Sequence, residues 1–235
     1  MPISIKNNIK THLVLINKVI TILMFFCITS LSVNAAATTL AQVSDEDAAV
    51  TKTAASTTVM NINEKSFSCI REMTPVRHFY VDNLLGDVDS TLAAANNPKG
   101  AIYPTGSVVQ LVPTEVMVKR EKGTSPATGD WEFFELEVNE SGSKIAKRGF
   151  VDIVNRFGGN CFSCHAPAKK SWDFICESGH GCDPIPIDHK MTGALQRSDP
   201  RCGEAELEDG DTMALLKLKA MVTIGLTKKW FEDTF

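Results

Sequence analysis

Cys161-Phe162-Ser163-Cys164-His165 constrains this chain more than any other stretch. Two cysteines separated by two residues, with a histidine at once after the second, form the attachment signature of a c-type haem. Each thiol adds across one vinyl group of the porphyrin. His165 leaves the backbone beside the second thioether and reaches the iron as proximal ligand. The same five residues also fit a plain disulfide, or half a zinc site that happens to precede a histidine.

The N-terminus argues for haem. Lys6, Lys10 and Lys18 precede an apolar run over 19–33, and no acidic residue occurs before Asp45. Val33-Asn34-Ala35 then supplies the small residues that a signal peptidase reads, so 1–35 is expected to be a secretory signal peptide cleaved after Ala35. The run is short for a spanning helix, which needs about 20 residues. Cys27 lies inside it and leaves with the signal. Export, to the periplasm or beyond, puts the other thiols in an oxidising compartment. Six cysteines then remain: Cys69, Cys161, Cys164, Cys176, Cys182 and Cys202. If Cys161 and Cys164 hold haem, the other four can form two disulfides in three connectivities, which the sequence leaves open. Losing the three lysines moves the formal charge from −4 to −7. Such a chain has no electrostatic reason to bind nucleic acid or, once the signal is gone, an anionic membrane surface.

Residues 36–66 are rich in Ala, Thr, Ser and Asp without a sustained apolar period and read as a flexible tether, with a short helix as the alternative. Residues 67–235 read as one domain. The β-branched and aromatic run over 76–81 predicts a strand. Asp87 opens a short helix over 87–95, which Asn96, Asn97 and Pro98 end. Tyr103-Pro104-Thr105-Gly106 is a turn, and a strand follows over 107–112. Pro113 interrupts the ladder because it has no N–H to donate. Alternation resumes over 115–120, with Val116 and Val118 on one face and Glu115, Met117 and Lys119 on the other. A strand over 132–138 puts Phe134, Leu136 and Val138 on a buried face, with Glu135 and Glu137 on a wet one. Residues 147–157 are a helix or a strand with a turn, 179–186 a loop, and 212–226 a helix packed on the core. Strands with local helices predict an α+β fold: an antiparallel β-sheet with flanking helices around one covalently bound haem.

The order of these segments carries a resemblance. Val76-Arg77-His78-Phe79-Tyr80-Val81-Asp82 leads to a helix and then to Tyr103-Pro104-Thr105-Gly106-Ser107-Val108-Val109. Glu115-Val116-Met117-Val118-Lys119, Gly129-Asp130-Trp131-Glu132-Phe133-Phe134 and the haem motif follow. Over roughly residues 73–174 this resembles the cytochrome P-460 family, which includes the β-sheet cytochromes c′. The resemblance implies a homodimer with one haem c per chain, thioether-bound through Cys161 and Cys164 and ligated by His165. It also implies an open distal side at which a small ligand or substrate, nitric oxide or hydroxylamine, meets the iron. Arg77 and Glu115 fall where the family places polar distal residues, and Glu115 could move protons there. The hydroxylamine-oxidising members tie a lysine to the porphyrin where this chain has Leu111, with Gln110 beside it. That departure favours ligand binding or electron transfer with a soluble redox partner. Lys119 and Lys122 read as solvated lysines.

Two other readings stand beside this one. In an ordinary electron-transfer cytochrome, Met117, Met191, Met213 or Met221 supplies a sixth ligand, although methionine also fills cores. In a haem-free secreted module, disulfides or a zinc held by Cys161, Cys164, Cys176 and Cys182 provide the stability. His180 and His189 read as surface loop residues. No serine triad, phosphate loop or catalytic carboxylate pair stands out.

Overall fold

A computed structural model describes residues 60–234 of the chain; the expected signal peptide and most of the expected tether lie outside the described residues. Six strands form one antiparallel sheet in sequence order. They are β1 (Thr74–Val76), β2 (Phe79–Asn83), β3 (Ser107–Val112), β4 (Glu115–Lys119), β5 (Trp131–Asn139) and β6 (Gly142–Gly149). Consecutive strands pair with one another, and the long connection from β2 to β3 carries a helix over 88–95. Among the described residues four helices accompany them: α1 (Val88–Ala95), α2 (Cys161–His165), α3 (His189–Arg197) and α4 (Asp211–Thr234). The expected α+β architecture, an antiparallel sheet with flanking helices, is present.

Strand alternation divides the core into two layers. Val81, Val109, Met117, Trp131 and Phe133 share one face, where α1, Tyr103, Ile153, Ile175 and the apolar side chains of α2 cover them. Val108, Val116, Val118, Phe134 and Leu136 share the other, beneath Met60, Ile62 and Phe67. Met60 and Ile62 are buried, so the last residues assigned to the tether already belong to the packed domain. The disulfide Cys69–Cys202 joins that N-terminal cover to the 3-10 turn Pro200–Cys202. Beside it the fully buried Asp199 carboxylate accepts from Ile70 N at 3.0 Å and Arg201 Nη2 at 2.7 Å.

Several local expectations hold. Asp87 caps α1, its carboxylate accepting from Ser90 N at 3.3 Å, and the helix ends at Asn96. The strand over 107–112 appears with those bounds. Others change. The run over 76–81 is not one strand: Val76 pairs with Phe79, and Arg77-His78 forms the tight turn between β1 and β2. Arg77 takes a left-handed φ of 51° there, held by its guanidinium on Glu177 and the Ala95 carbonyl. Pro113 sits in a hairpin turn, with Val112 paired to Glu115. The buried Gln110 amide satisfies the carbonyls of Val112 at 3.1 Å and Pro113 at 2.9 Å. Over 131–136 both faces of β5 are covered, and Glu135, expected to be wet, is 3% exposed, while Glu137 is exposed as expected. Residues 147–157 finish β6 and then turn. The C-terminal helix starts at Asp211 and packs on α3 through its first turns, where Asp211 and Ala214 are buried. Met213, Leu216 and Met221 stay exposed, so most of its described length does not join the core.

Candidate functional site

The turn bearing Cys161, Cys164 and His165 is set up by its lead-in. Val154 bridges to Asn160, and Cys161 N donates to Ile153 O at 3.0 Å. Asn155 Oδ1 accepts from the N–H groups of Phe157 at 3.0 Å and Gly159 at 2.9 Å, closing the loop. Asn160 then caps α2, its side chain accepting from Ser163 N at 2.8 Å. An N-cap asparagine is the local signal for this helix start, one that the reading of the sequence passed over. Cys161 and Phe162 pack against the apolar layer containing Met117, Phe133 and Ile153. Leu111 packs against the same layer, on the haem-motif face of the sheet.

Among the described cysteines, four pair, as Cys69–Cys202 and Cys176–Cys182, which selects one of the three connectivities. Cys161 and Cys164 remain free thiols, the first half-buried and the second exposed. Burial, with the charge of Glu115 next in weight, pushes the Cys161 thiol up to about 11. The second disulfide takes Cys176 and Cys182 out of the zinc tetrad. No group of three or more His, Cys, Asp or Glu side chains suited to a metal ion occurs among the described residues.

His165 is half-buried with its ring 5.3 Å from that of Phe133. Its Nδ1 lies 2.7 Å from Phe174 O. A carbonyl only accepts, so Nδ1 carries the proton and Nε2 keeps its lone pair. Burial lowers the imidazole pKa, which favours this neutral form. Two thiols, a neutral imidazole with its outer nitrogen bonded to a carbonyl, and an apolar wall are what a haem c attachment site needs. The residues fit that group.

The remaining expected residues divide. Glu115 is brought to the motif's lead-in: Asn155 Nδ2 donates to it at 3.1 Å, and Glu135 is its partner across the ladder. Burial and then the Glu135 charge raise its carboxyl above the usual range. Glu135 is bound in turn by Arg156 at 2.8 Å and Lys147 at 3.3 Å. Met117 is buried opposite Phe133. Arg77 is exposed at the β1–β2 turn, with Nε 2.7 Å from Glu177 Oε2. His180 is no surface residue: it is 8% exposed and stacked on Trp172, ring centroids 3.7 Å apart. His189 is exposed at the start of α3, its ring 4.5 Å from that of His78.

Lys119, expected to be solvated, is 6% exposed and bonded to Asp173. Sequence reasoning passed over this pair because its members lie 54 residues apart with no local pattern joining them. Lys122 is exposed, as expected. No helix among the described residues is long and apolar enough to cross a membrane. Comparison with known protein families, with curated proteins and with solved structures finds no match to this chain.

Proposed function

We propose that this chain is an exported monohaem c-type cytochrome. Cys161 and Cys164 are its thioether residues, His165 its proximal ligand, and a small nitrogen ligand or an electron its cargo. One observation carries the reading. Of six described cysteines, four are paired, and the two left as thiols stand on one helical turn beside a histidine whose Nε2 is free to ligate. Cys161 and Cys164 would hold the group through thioethers, each S–H adding across a vinyl C=C with its hydrogen going to the neighbouring carbon. When bound, haem supplies a redox-active iron whose ligand set and surroundings decide between ligand binding and electron transfer.

The chain's own residues do the rest. His165 would offer its Nε2 lone pair to the iron, while its Nδ1–H donates to Phe174 O. Glu115, with its raised pKa, stands ready to hold a proton near the motif. Leu111, where hydroxylamine-oxidising cytochromes P-460 carry a cross-linking lysine, favours ligand binding or electron transfer over hydroxylamine oxidation. A homodimer, a soluble redox partner and a periplasmic or secreted location belong to the same reading. Two disulfides suit that compartment.

The reduced protein's absorption spectrum tests the open site. Carbon monoxide and nitric oxide are each expected to shift the Soret band. A spectrum unmoved by either gas contradicts an accessible distal position and favours an electron carrier with methionine as sixth ligand. Met117, buried opposite Phe133, is the first methionine to replace in that case.

A further inference from the structure

We infer that Lys119 and Asp173 are positioning residues for His165, acting through the backbone of Phe174. The inference rests on the haem reading above, because it assigns these residues to the imidazole that would ligate iron. Asp173 and Phe174 are consecutive left-handed residues, with φ of 48° and 66°. Side chains with a Cβ rarely adopt that conformation, and two in a row need surroundings that impose it.

Those surroundings are present. Lys119 Nζ stands 2.7 Å from each Asp173 carboxylate oxygen and 2.7 Å from Gly129 O, so all three of its donors are used. Tyr103 N donates to Asp173 Oδ2 at 2.8 Å, and Trp131 Nε1 to Asp173 O at 2.7 Å. Two glycines let neighbouring chain come close. A Cβ at Gly100 would lie 2.1 Å from Ser171 O, and one at Gly129 would lie 2.7 Å from the Phe174 ring. The next carbonyl along the clamped backbone, Phe174 O, is the one bonded to His165 Nδ1 at 2.7 Å.

A buried lysine–carboxylate pair is a poor device for stability alone, since apolar side chains of similar volume serve a core as well. Here it fixes the direction of one carbonyl. That carbonyl sets the tautomer and rotation of the imidazole and raises the basicity of Nε2, as outer hydrogen bonds to ligating histidines do. Lys119 sits on β4 and Asp173 in the turn after the motif, so the rigid sheet orients a ligand that lies outside it.

The test uses the full chain in wild type, Lys119→Met and Lys119→Arg. Each is read by the Fe–His stretch of the reduced protein in resonance Raman and by its reduction potential. In Lys119→Met the turn is released and the Nδ1 bond weakens. The Fe–His frequency is expected to fall and the potential to rise, because a less basic imidazole favours the reduced iron. Lys119→Arg keeps the cation and is expected to lie between. A haem-bearing Lys119→Met protein with both readouts at wild-type values overturns the inference.

If Lys119→Met does not fold, the wild type decides. Nitrogen-15 NMR of histidine-labelled, haem-free protein is expected to show His165 in the Nδ1–H form, and the Nε2–H form overturns the inference. If the intact mass shows no haem, the functional reading fails on its own. The tautomer in the wild type, and its loss in Lys119→Met, then still test the clamp.

Discussion

The two faces of the sheet are closed in opposite ways. The cover over Val108, Val116 and Phe134 is tied to the Pro200–Cys202 turn by Cys69–Cys202 and locked by Asp199, which Arg201 and Ile70 N satisfy. The cover over Val109, Met117 and Phe133 ends instead in a turn with two unpaired thiols and an imidazole nitrogen left with its lone pair. It also contains the left-handed pair Asp173-Phe174 and the neighbouring carboxylates Glu115 and Glu135. The short Cys176–Cys182 loop follows Ile175 on this same side, so the difference between the covers lies in the free thiols and the left-handed pair and not in the presence of a disulfide. One cover carries a link across 133 residues, and the other keeps two thiols unpaired.

The largest test of that division breaks the closed face. Replacing Cys69 and Cys202 by serine opens a link spanning 133 residues. It is expected to cost about 4–5 kcal/mol in urea denaturation, while leaving the Cys161–Cys164 thiols as reactive as before. A loss under about 1 kcal/mol would remove the distinction between the faces.

A middle-sized effect is expected where α4 joins α3. Arg197 grips Asp211 in a two-point pair, Nε to Oδ2 at 2.7 Å and Nη2 to Oδ1 at 2.9 Å, and Glu208 N adds a bond at 2.8 Å. The Arg197 hydrogen bonds hold the Asp211 carboxyl at about 2, below its ordinary 3.8. A depressed carboxyl stabilises the fold above its ordinary pKa, and that contribution is lost as the pH falls through the folded value. Asp211→Asn is therefore expected to cost about 2 kcal/mol at neutral pH, with the difference from wild type closing toward pH 2.

The smallest effect belongs to the open face, at Glu115. Its carboxyl lies above the ordinary 4.5 because it is buried and faces Glu135. The sign is the reverse of that at Asp211: the stabilisation is full at low pH and is lost as the pH rises through the folded pKa. Glu115→Gln, which keeps an acceptor for Asn155, should gain on wild type between pH 4 and pH 7 by under about 1 kcal/mol. Thermal melts at the two pH values measure it, and a variant that loses ground as the pH rises contradicts the assignment.

Elements punctuated by their own residues were legible in the sequence. Asp87 and Asn96 bound α1, and Gly106 and Pro113 bound β3. The turn at Arg77-His78 was hidden inside a β-branched and aromatic run, because no glycine or asparagine marks it and the left-handed φ is imposed by a partner 100 residues away. Glu135 alternated as a wet residue should, but Arg156 and Lys147 bury it. At the candidate site, Cys161, Cys164 and His165 could be read because their spacing is local. Lys119, Asp173 and the acceptor Phe174 O could not, since their relation exists only once β4 and the turn after the motif are brought together.

The most direct test of the central claim is the intact mass of the protein after denaturation. The open face predicts a mature chain heavier by one haem that denaturant does not remove, with the addition lost in a Cys161→Ala, Cys164→Ala variant. A chain of unmodified mass, with Cys161 and Cys164 recovered as thiols or joined to each other, would contradict it.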